Sequence, residues 1–480
     1  MRGRSQTFDR FAGVNTQDAA YLLDDDEARD ARNIVSTPRG AVRKRPGMQA
    51  FAAPAAEIRS LFAGHVPDIL LAASASIIYK IDAAAVVTSL KTGLSNFPWE
   101  WVQAPVSGGQ GPFWGMNGVD APVFYDGAAA ATGLWTAAVG SLPNGKYLKF
   151  HGNRLWIAGT AANPSRLYFS NLRDPRDWPA ANVVDFEPED GEPITGIGAV
   201  GDYLLVFKPS KTWIVYGLDD GANRQISESI GCVAHRTIAE VPSGALFLSR
   251  DQGVVSTDGQ TVRNASDKVL PTFAAIVPAN RSLATAVFTG GHYYIAISTT
   301  GGANDLVLDY DIAQGTWWIH TPAVRDWAPW EIGGEPRLYA AIAGATRVDR
   351  AFVAGVTQDN GQNYEAYWRG AYHVFGAPHR RKRLREVRFD GKGRIQVSVS
   401  RDFGRAAELV ADVDFTDPGD VFAGGGLFGG EGTFGGLAEV SEARALNPGV
   451  ARAFSIVLGN ETDDEFEIEA YTCLVSDRRD

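Results

Sequence analysis

Gly152-Asn153-Arg154-Leu155-Trp156-Ile157 places a tight turn directly in front of a short apolar core. The same arrangement recurs along the chain. Its cores are Ile69-Leu70-Leu71, Phe113-Trp114, Leu155-Trp156-Ile157, Leu204-Leu205-Val206, Leu246-Phe247-Leu248, Tyr293-Tyr294-Ile295 and Leu338-Tyr339. The interval is about 45 residues, and each core is too short and too rich in β-branched and aromatic residues for a helix. A strand-built repeat of that length is the signature of β-propeller blades. The spacing predicts an all-β chain whose propeller has about seven blades, with six or eight fitting nearly as well.

The turns share their chemistry. Gly152-Asn153, Gly201-Asp202, Ser243-Gly244, Gly290-Gly291 and Gly334-Glu335 are built from residues that tolerate positive φ. A second signature sits on the outer half of some blades: Phe124-Tyr125-Asp126 with Leu134-Trp135, and Asp309-Tyr310-Asp311 with Trp317-Trp318. Leu167-Tyr168-Phe169-Ser170 with Trp178 is a looser copy. The acid is expected to hold its turn through backbone N–H groups, and the aromatics to fill the space between blades.

Outside the repeats the pattern changes at both ends. Residues 1–50 are polar and charged and read as a docking arm. Asp24, Asp25, Asp26 and Glu27 precede Ala28 to Ile34, which predicts a short helix with an acidic first turn. Thr37-Pro38-Arg39-Gly40 and Pro46-Gly47 are turns, separated by the basic cluster Arg43, Lys44, Arg45. The propeller is assigned to 51–355 and a C-terminal β-sandwich-like domain to 356–480, some of whose strands could instead complete the last blade. In that domain Ile395, Val397 and Val399 alternate with polar residues, as do Phe454, Ile456 and Leu458 in part. Phe466, Ile468, Ala470, Thr472 and Leu474 are expected on one face of a strand, with Glu467, Glu469, Tyr471 and Cys473 on the other. Residues 423–437 hold eight glycines around Leu427, Phe428 and Phe434, too many for a regular element.

Composition narrows the function. The chain has 480 residues with a formal net charge of −11, which disfavours a general nucleic-acid binder. Two cysteines, Cys232 and Cys473, exclude a disulfide scaffold or a cysteine-rich zinc module and suggest buried free thiols in a reducing compartment. The longest apolar stretch, Asp68 to Val87, is cut by Lys80 and Asp82, so no membrane span is expected. Residues Met1 to Arg10 lack the apolar centre of a signal peptide.

The chemical motifs are few. Gly196-Ile197-Gly198-Ala199-Val200-Gly201 matches a dinucleotide-loop pattern with Asp219 and Asp220 downstream. That loop must open a helix, whereas Tyr203 to Phe207 reads as a strand, so a turn between blade strands is expected. Ser249-Arg250-Asp251-Gln252-Gly253 and Ser400-Arg401-Asp402-Phe403-Gly404 share the start of the Asp-box turn of sialidase-like propellers, without its tryptophan. The seven histidines are scattered, and no carboxylate pair is nominated for glycoside hydrolysis. No catalytic, cofactor or metal residue is assigned, and a non-enzyme is expected. The one strong basic run is His379-Arg380-Arg381-Lys382-Arg383-Leu384-Arg385. It reads either as a charge-protected strand edge or as a docking patch for an acidic neighbour or DNA phosphates.

Several segments, taken in order, resemble bacteriophage tail hub or nozzle proteins of short-tailed phages. They are Phe11-Ala12-Gly13-Val14-Asn15, then Ala28, Arg29, Asp30, Ala31 and Asn33, then Gly40 and Arg45-Pro46-Gly47. Leu167 to Ser170 with Asp174-Pro175 and Trp178, Ile194 to Gly217, and the β region from Arg383 resemble later parts of the same family. The resemblance implies a structural virion protein, assembled in the bacterial cytoplasm. It would form a hexameric ring below the portal-adaptor proteins, retain packaged double-stranded DNA and form the channel for its ejection. Tail needle, fibre or spike proteins would be its other partners. On that reading Arg43, Lys44, Arg45, Arg380, Arg381, Lys382, Arg383 and Arg385 are assembly candidates, and Gly424, Leu427, Phe428 and Phe434 are gate or contact candidates. The alternatives are a receptor-binding tail propeller, presenting Trp99 with Trp101 or Trp327 with Trp330 to sugars, and a propeller glycosidase.

Overall fold

The computed structural model describes residues 4–376, 378–404, 407–415, 440–444 and 450–477. They fall into two compact units: 48–315 with 321–353, and 1–47 with 316–320 and 354–480. The glycine-rich stretch 423–437, with Gly424, Leu427, Phe428 and Phe434, lies outside the described residues.

The first unit is a seven-bladed β-propeller. The first strands of successive blades are Ile58–His65, Glu100–Gln103, Tyr147–His151, Gly196–Val200, Ala239–Val241, Thr285–Thr289 and Val324–Ile332. Each packs on the next, and the last packs on the first, which closes the ring. The second strands are Asp68–Ser74, Phe113–Met116, Arg154–Ala158, Tyr203–Phe207, Gly244–Leu248, His292–Ile297 and Glu335–Ile342. These carry the seven repeated cores, and they are buried because a second strand is flanked on both edges and covered on both faces. The strand that completes blade seven, Gly47–Ala52, comes from the N-terminal side of the repeats, so the two ends of the ring are sewn together.

The turn chemistry follows the prediction. Gly152 and Asn153 both have positive φ (57° and 58°), the geometry of a two-residue hairpin whose twist matches its strands. Asp126 Oδ1 accepts the N–H groups of Ala128 and Ala129 at 2.9 and 2.7 Å. Asp311 Oδ1 does the same for Ala313 and Gln314 at 2.9 and 3.0 Å. Asp82 and Asp258, which the signature did not include, hold equivalent turns. Trp114, Trp135 and Trp178 form a run of aromatic contacts across blades two and three.

The second unit is one eleven-stranded sheet curled into a nearly closed barrel. Its spine is Lys382–Arg401. The first half of this strand pairs with Phe466–Asp477, and the second half with Phe454–Asn460 and Glu408–Asp414. The basic run therefore opens a central strand: Arg383 has Ser476 opposite on one side and Val450 on the other. This corrects the strand-edge reading.

The N-terminal segment is woven into this sheet. Arg4–Phe8 pairs with Tyr471 to Val475, Ala28–Arg32 with Tyr367 to Gly370, and Val42–Lys44 with Glu467 and Ile468. The helix expected over Ala28 to Ile34 is instead the strand Ala28–Arg32, a break at Asn33, and the strand Ile34–Ser36. Ala28 and Ala31 are both buried, a three-residue spacing that mimics a helix. A β-bulge between Ala28 and Asp30 produces it by adding one residue to the two-residue period. A second bulge, between Asp390 and Gly391, corrects the faces assigned to Phe466–Asp477. Phe466 and Ile468 point inward, but beyond Glu469 the parity flips and Tyr471, Cys473 and Val475 are buried instead.

Candidate functional site: docking surfaces and the propeller shaft

The basic residues singled out in the sequence separate into an inward and an outward set. Arg43 is exposed on its strand, and its neighbour Lys44 is 5% exposed. Lys44 Nζ donates to the Thr462 carbonyl and sits 4.4 Å above the Tyr364 ring. Burial, then the charge of Arg45, holds its ammonium below the usual lysine range. Arg45 is 1% exposed. Its guanidinium forks onto Asp359, with NH1 donating at 3.0 Å and NH2 at 2.5 Å. Nε donates to Asn33 Oδ1 at 2.9 Å, and the plane stacks 4.0 Å over Tyr364. Arg45 is thus a structural keystone rather than a docking side chain.

Asn33 explains why that keystone exists. It stands between two consecutive strands with φ 53° and joins the two free edges of the curled sheet. Its N–H donates to the Ile319 carbonyl at 2.8 Å, its Nδ2 to the Glu365 carbonyl at 2.7 Å, and its own carbonyl accepts the Arg45 N–H at 2.9 Å. Gly47 follows, where a Cβ would lie 2.0 Å from the Gln358 carbonyl oxygen. Gly13 is just as constrained: a Cβ there would meet the Trp317 carbonyl at 2.5 Å. Val14 N–H donates to that same carbonyl at 2.8 Å. Asn15 Nδ2 donates to Glu27 and Asp18, each at 2.9 Å, while its Oδ1 accepts the N–H groups of residues 17 and 18.

In the second basic run Arg380, Arg381, Arg383 and Arg385 are exposed. Lys382 and Leu384 point inward, and Lys382 Nζ donates to the Arg452 carbonyl. At the other end of the same ladder lies a cleft of about 730 Å³ lined by Arg43, Lys44, Lys392, Arg394, Asp464 and Glu467, among others. No helix among the described residues is long and apolar enough to cross a membrane, and none of those residues form a metal-ligating group of three or more.

Nothing in the sequence marked out the propeller's shaft. The linker between blades four and five sends Arg236 across it. Arg236 Nε lies 3.0 Å from Glu100 Oε1 in blade two, NH2 donates to the Trp99 carbonyl at 2.8 Å, and NH1 donates to Asp326 in blade seven. Asp326 also accepts the Leu61 N–H at 2.6 Å and the Thr285 hydroxyl at 2.8 Å, which adds blades one and six. Burial alone would push the Glu100 carboxyl up, but Arg236 and His235 outweigh it and hold it down at about 2. A cavity of about 360 Å³ adjoins this cluster, lined by Glu100 and Arg236 together with Phe62, Gln103, Phe150 and the Lys149–Glu240 ion pair. Gly196 and Gly198 line the same shaft. Cβ atoms on them would lie 2.7 and 2.6 Å from Ile238, so the dinucleotide-like pattern is a blade strand thinned to admit this linker.

The aromatic pairs required by an adhesin are buried: Trp99 1%, Trp101 6%, Trp327 5% and Trp330 1% exposed. The two cysteines are buried free thiols, and burial pushes Cys232 up to about 12. Of the two Asp-box-like turns, Asp251 is exposed, whereas Asp402 Oδ1 accepts the N–H groups of Arg452 and Ala453 and pins a neighbouring strand. No protein-family model matches this chain, and no curated protein matches it in sequence.

Proposed function

We propose that this chain is a structural virion protein, the hub or nozzle of a short phage tail. In this reading six copies ring the path of the DNA below the portal-adaptor proteins, retain the packaged genome and open for its ejection. The observation that carries it is the place of the residues behind the resemblance. Asn33 and Arg45-Pro46-Gly47 sew the N-terminal segment into the barrel, Gly13 and Val14 pack on the Trp317 backbone, and Asn15 ties to Asp18 and Glu27. A motif with that job marks a shared architecture rather than a shared chemistry. The DNA path lies between copies in this reading, because the Arg236 cluster spans each propeller's own shaft. An acidic wall suits a channel that DNA passes without sticking, since affinity for DNA comes mainly from neutralised phosphates. The test is cryo-electron microscopy of particles assembled with a tagged copy of this chain. Density for the tag at the tail end, and genome-empty particles when the chain is omitted, are expected. DNA-filled, infectious particles assembled without it would sink the proposal.

A further inference from the structure

We infer that the shaft cavity beside the Arg236 cluster is a binding pocket for one neutral sugar, free or as the terminal unit of a glycan. The cavity measures about 360 Å³, within the size range of small-molecule pockets. Its polar lining calls for hydroxyl groups. His235 Nδ1 accepts the Ile197 N–H at 3.4 Å, so the proton of the neutral ring sits on Nε2. That Nε2 lies 3.6 Å from Glu100 Oε2, too far for a direct hydrogen bond. A hydroxyl set against both accepts from His235 and donates to Glu100; an ammonium cannot accept and a carboxylate cannot donate. Glu100 Oε1 meets Arg236 Nε at 3.0 Å, and a carboxylate takes about four hydrogen bonds, so a neighbouring hydroxyl finds an acceptor beside the first. Burial pushes that carboxyl up, but Arg236 and His235 outweigh it, so the acceptor stays ionised. The lining sets Lys149 and Arg236 against Glu100 and Glu240, which gives a charged ligand no net attraction. Asp326 is taken up by Arg236, the Leu61 N–H and the Thr285 hydroxyl. Lys149 and Glu240 pair with each other while partly exposed, a weak bond in water that leaves both with capacity for further hydroxyls. Phe62 and Phe150 line the same cavity and are half-buried, and the negative face of an aromatic ring attracts the polarised C–H groups of a sugar. Gln103 gives shape rather than recognition, because the His65 N–H and the Val66 carbonyl occupy its amide at 3.0 and 2.9 Å. The Arg236 cluster spans the shaft, so a polysaccharide cannot thread it and only a chain end fits. The pocket goes beyond the tail reading and does not depend on it.

Saturation-transfer NMR and calorimetric titration of the full chain test it. The probes are the methyl glycosides of glucose, galactose, mannose and rhamnose, with butylammonium and glucuronate as charged controls. At least one neutral glycoside is expected to bind saturably at a single site. Phe150→Ala and Glu100→Gln should each weaken it by about tenfold or more, with near-ultraviolet circular dichroism unchanged. Phe150→Tyr keeps the ring and should keep the affinity, and Glu240→Gln should cost about two- to threefold. If Glu100→Gln does not fold, the two Phe150 variants decide: loss in the first with retention in the second supports the pocket. No binding by any of the four glycosides at about 50 mM overturns the inference. So does tighter binding of either charged control. A glycoside that binds Phe150→Ala as tightly as wild type also overturns it, because its site then lies elsewhere.

Discussion

The propeller and the barrel reach the same end, a closed β structure, by opposite routes. Each propeller blade is made almost entirely from one contiguous stretch, and only blade seven borrows a distant strand. The barrel sheet is made from widely separated stretches: its N-terminal strands and the C-terminal region. Repetition makes the first legible in sequence, because seven copies of one local pattern reinforce one another. The second has no repeat, and its N-terminal strands pair with residues hundreds of positions away. Each unit nonetheless has one arginine that collects distant segments, the buried Arg45 in the barrel and the partly buried Arg236 in the propeller.

The largest expected effect comes from removing those two residues. Arg45→Met removes the guanidinium from Asp359 and from Asn33 Oδ1, and Arg236→Met removes it from Glu100 and Asp326. Breaking a buried ion pair from one side costs about 3–5 kcal/mol. Differential scanning calorimetry should show each variant lowering a different part of the unfolding profile. Hydrogen exchange should place the loss of Arg45→Met in the strands of residues 28–47 and 366–370, and that of Arg236→Met in the first strands of the blades. A single, identical shift in both variants would mean that the units do not melt separately.

The glycine in the barrel's seam ranks next. At Gly47 a Cβ would lie 2.0 Å from backbone, which cannot move as a side chain can. Gly47→Ala should cost roughly 1–3 kcal/mol, as overpacking does. At Gly198 the obstacle is a side-chain methyl, Ile238 Cγ2, rather than backbone, so Gly198→Ala should cost less. Equal losses in a denaturant titration would contradict the distinction between backbone and side-chain obstacles.

Acid should strike both units through different groups. Glu100 titrates at about 2 in the folded propeller, well below an unfolded glutamate. The folded pKa is depressed, so its contribution is present above the unfolded value near 4.3 and is lost as pH falls toward 2. Asp25 plays the same part in the barrel: its hydrogen bond to the buried His373 ring, 3.0 Å long, holds its carboxyl below the ordinary range. Glu100→Gln should flatten the fall in propeller stability between about pH 4 and pH 2, and Asp25→Asn that of the barrel. An acid limb unchanged in both variants would remove these carboxylates from the account.

What the sequence showed follows from how local each signal is. The seven cores fell on the seven second strands because a buried strand announces itself within five residues. The shaft cluster stayed hidden because Glu100, Arg236 and Asp326 are ordinary charges in sequence, and only the closing of the ring brings them together. The helix read at Ala28 to Ile34 and the faces read beyond Glu469 failed for one reason: a bulge inserts a residue that a strict two-residue period does not contain. Of the basic candidates, sequence could count the charges but not foresee that Arg45, Lys44 and Lys382 turn inward while their neighbours turn out.

The smallest expected effect tests the repeat itself. Asp126 and Asp258 each accept two backbone N–H groups at the corresponding turn of different blades, and those bonds hold both carboxyls below the usual range. The turns are exposed, so water and salt screen much of that stabilisation. Asp126→Ala should therefore lower stability by about 1 kcal/mol or less, and Asp126→Asn, which keeps the acceptor, should recover most of it. If the turns are equivalent, Asp126→Ala and Asp258→Ala should be additive in a denaturant titration, because the two sites lie in separate blades and share no partner. Non-additivity would mean that the blades communicate through the ring, and the contrast between a propeller of independent repeats and a barrel of interlocked segments would narrow accordingly.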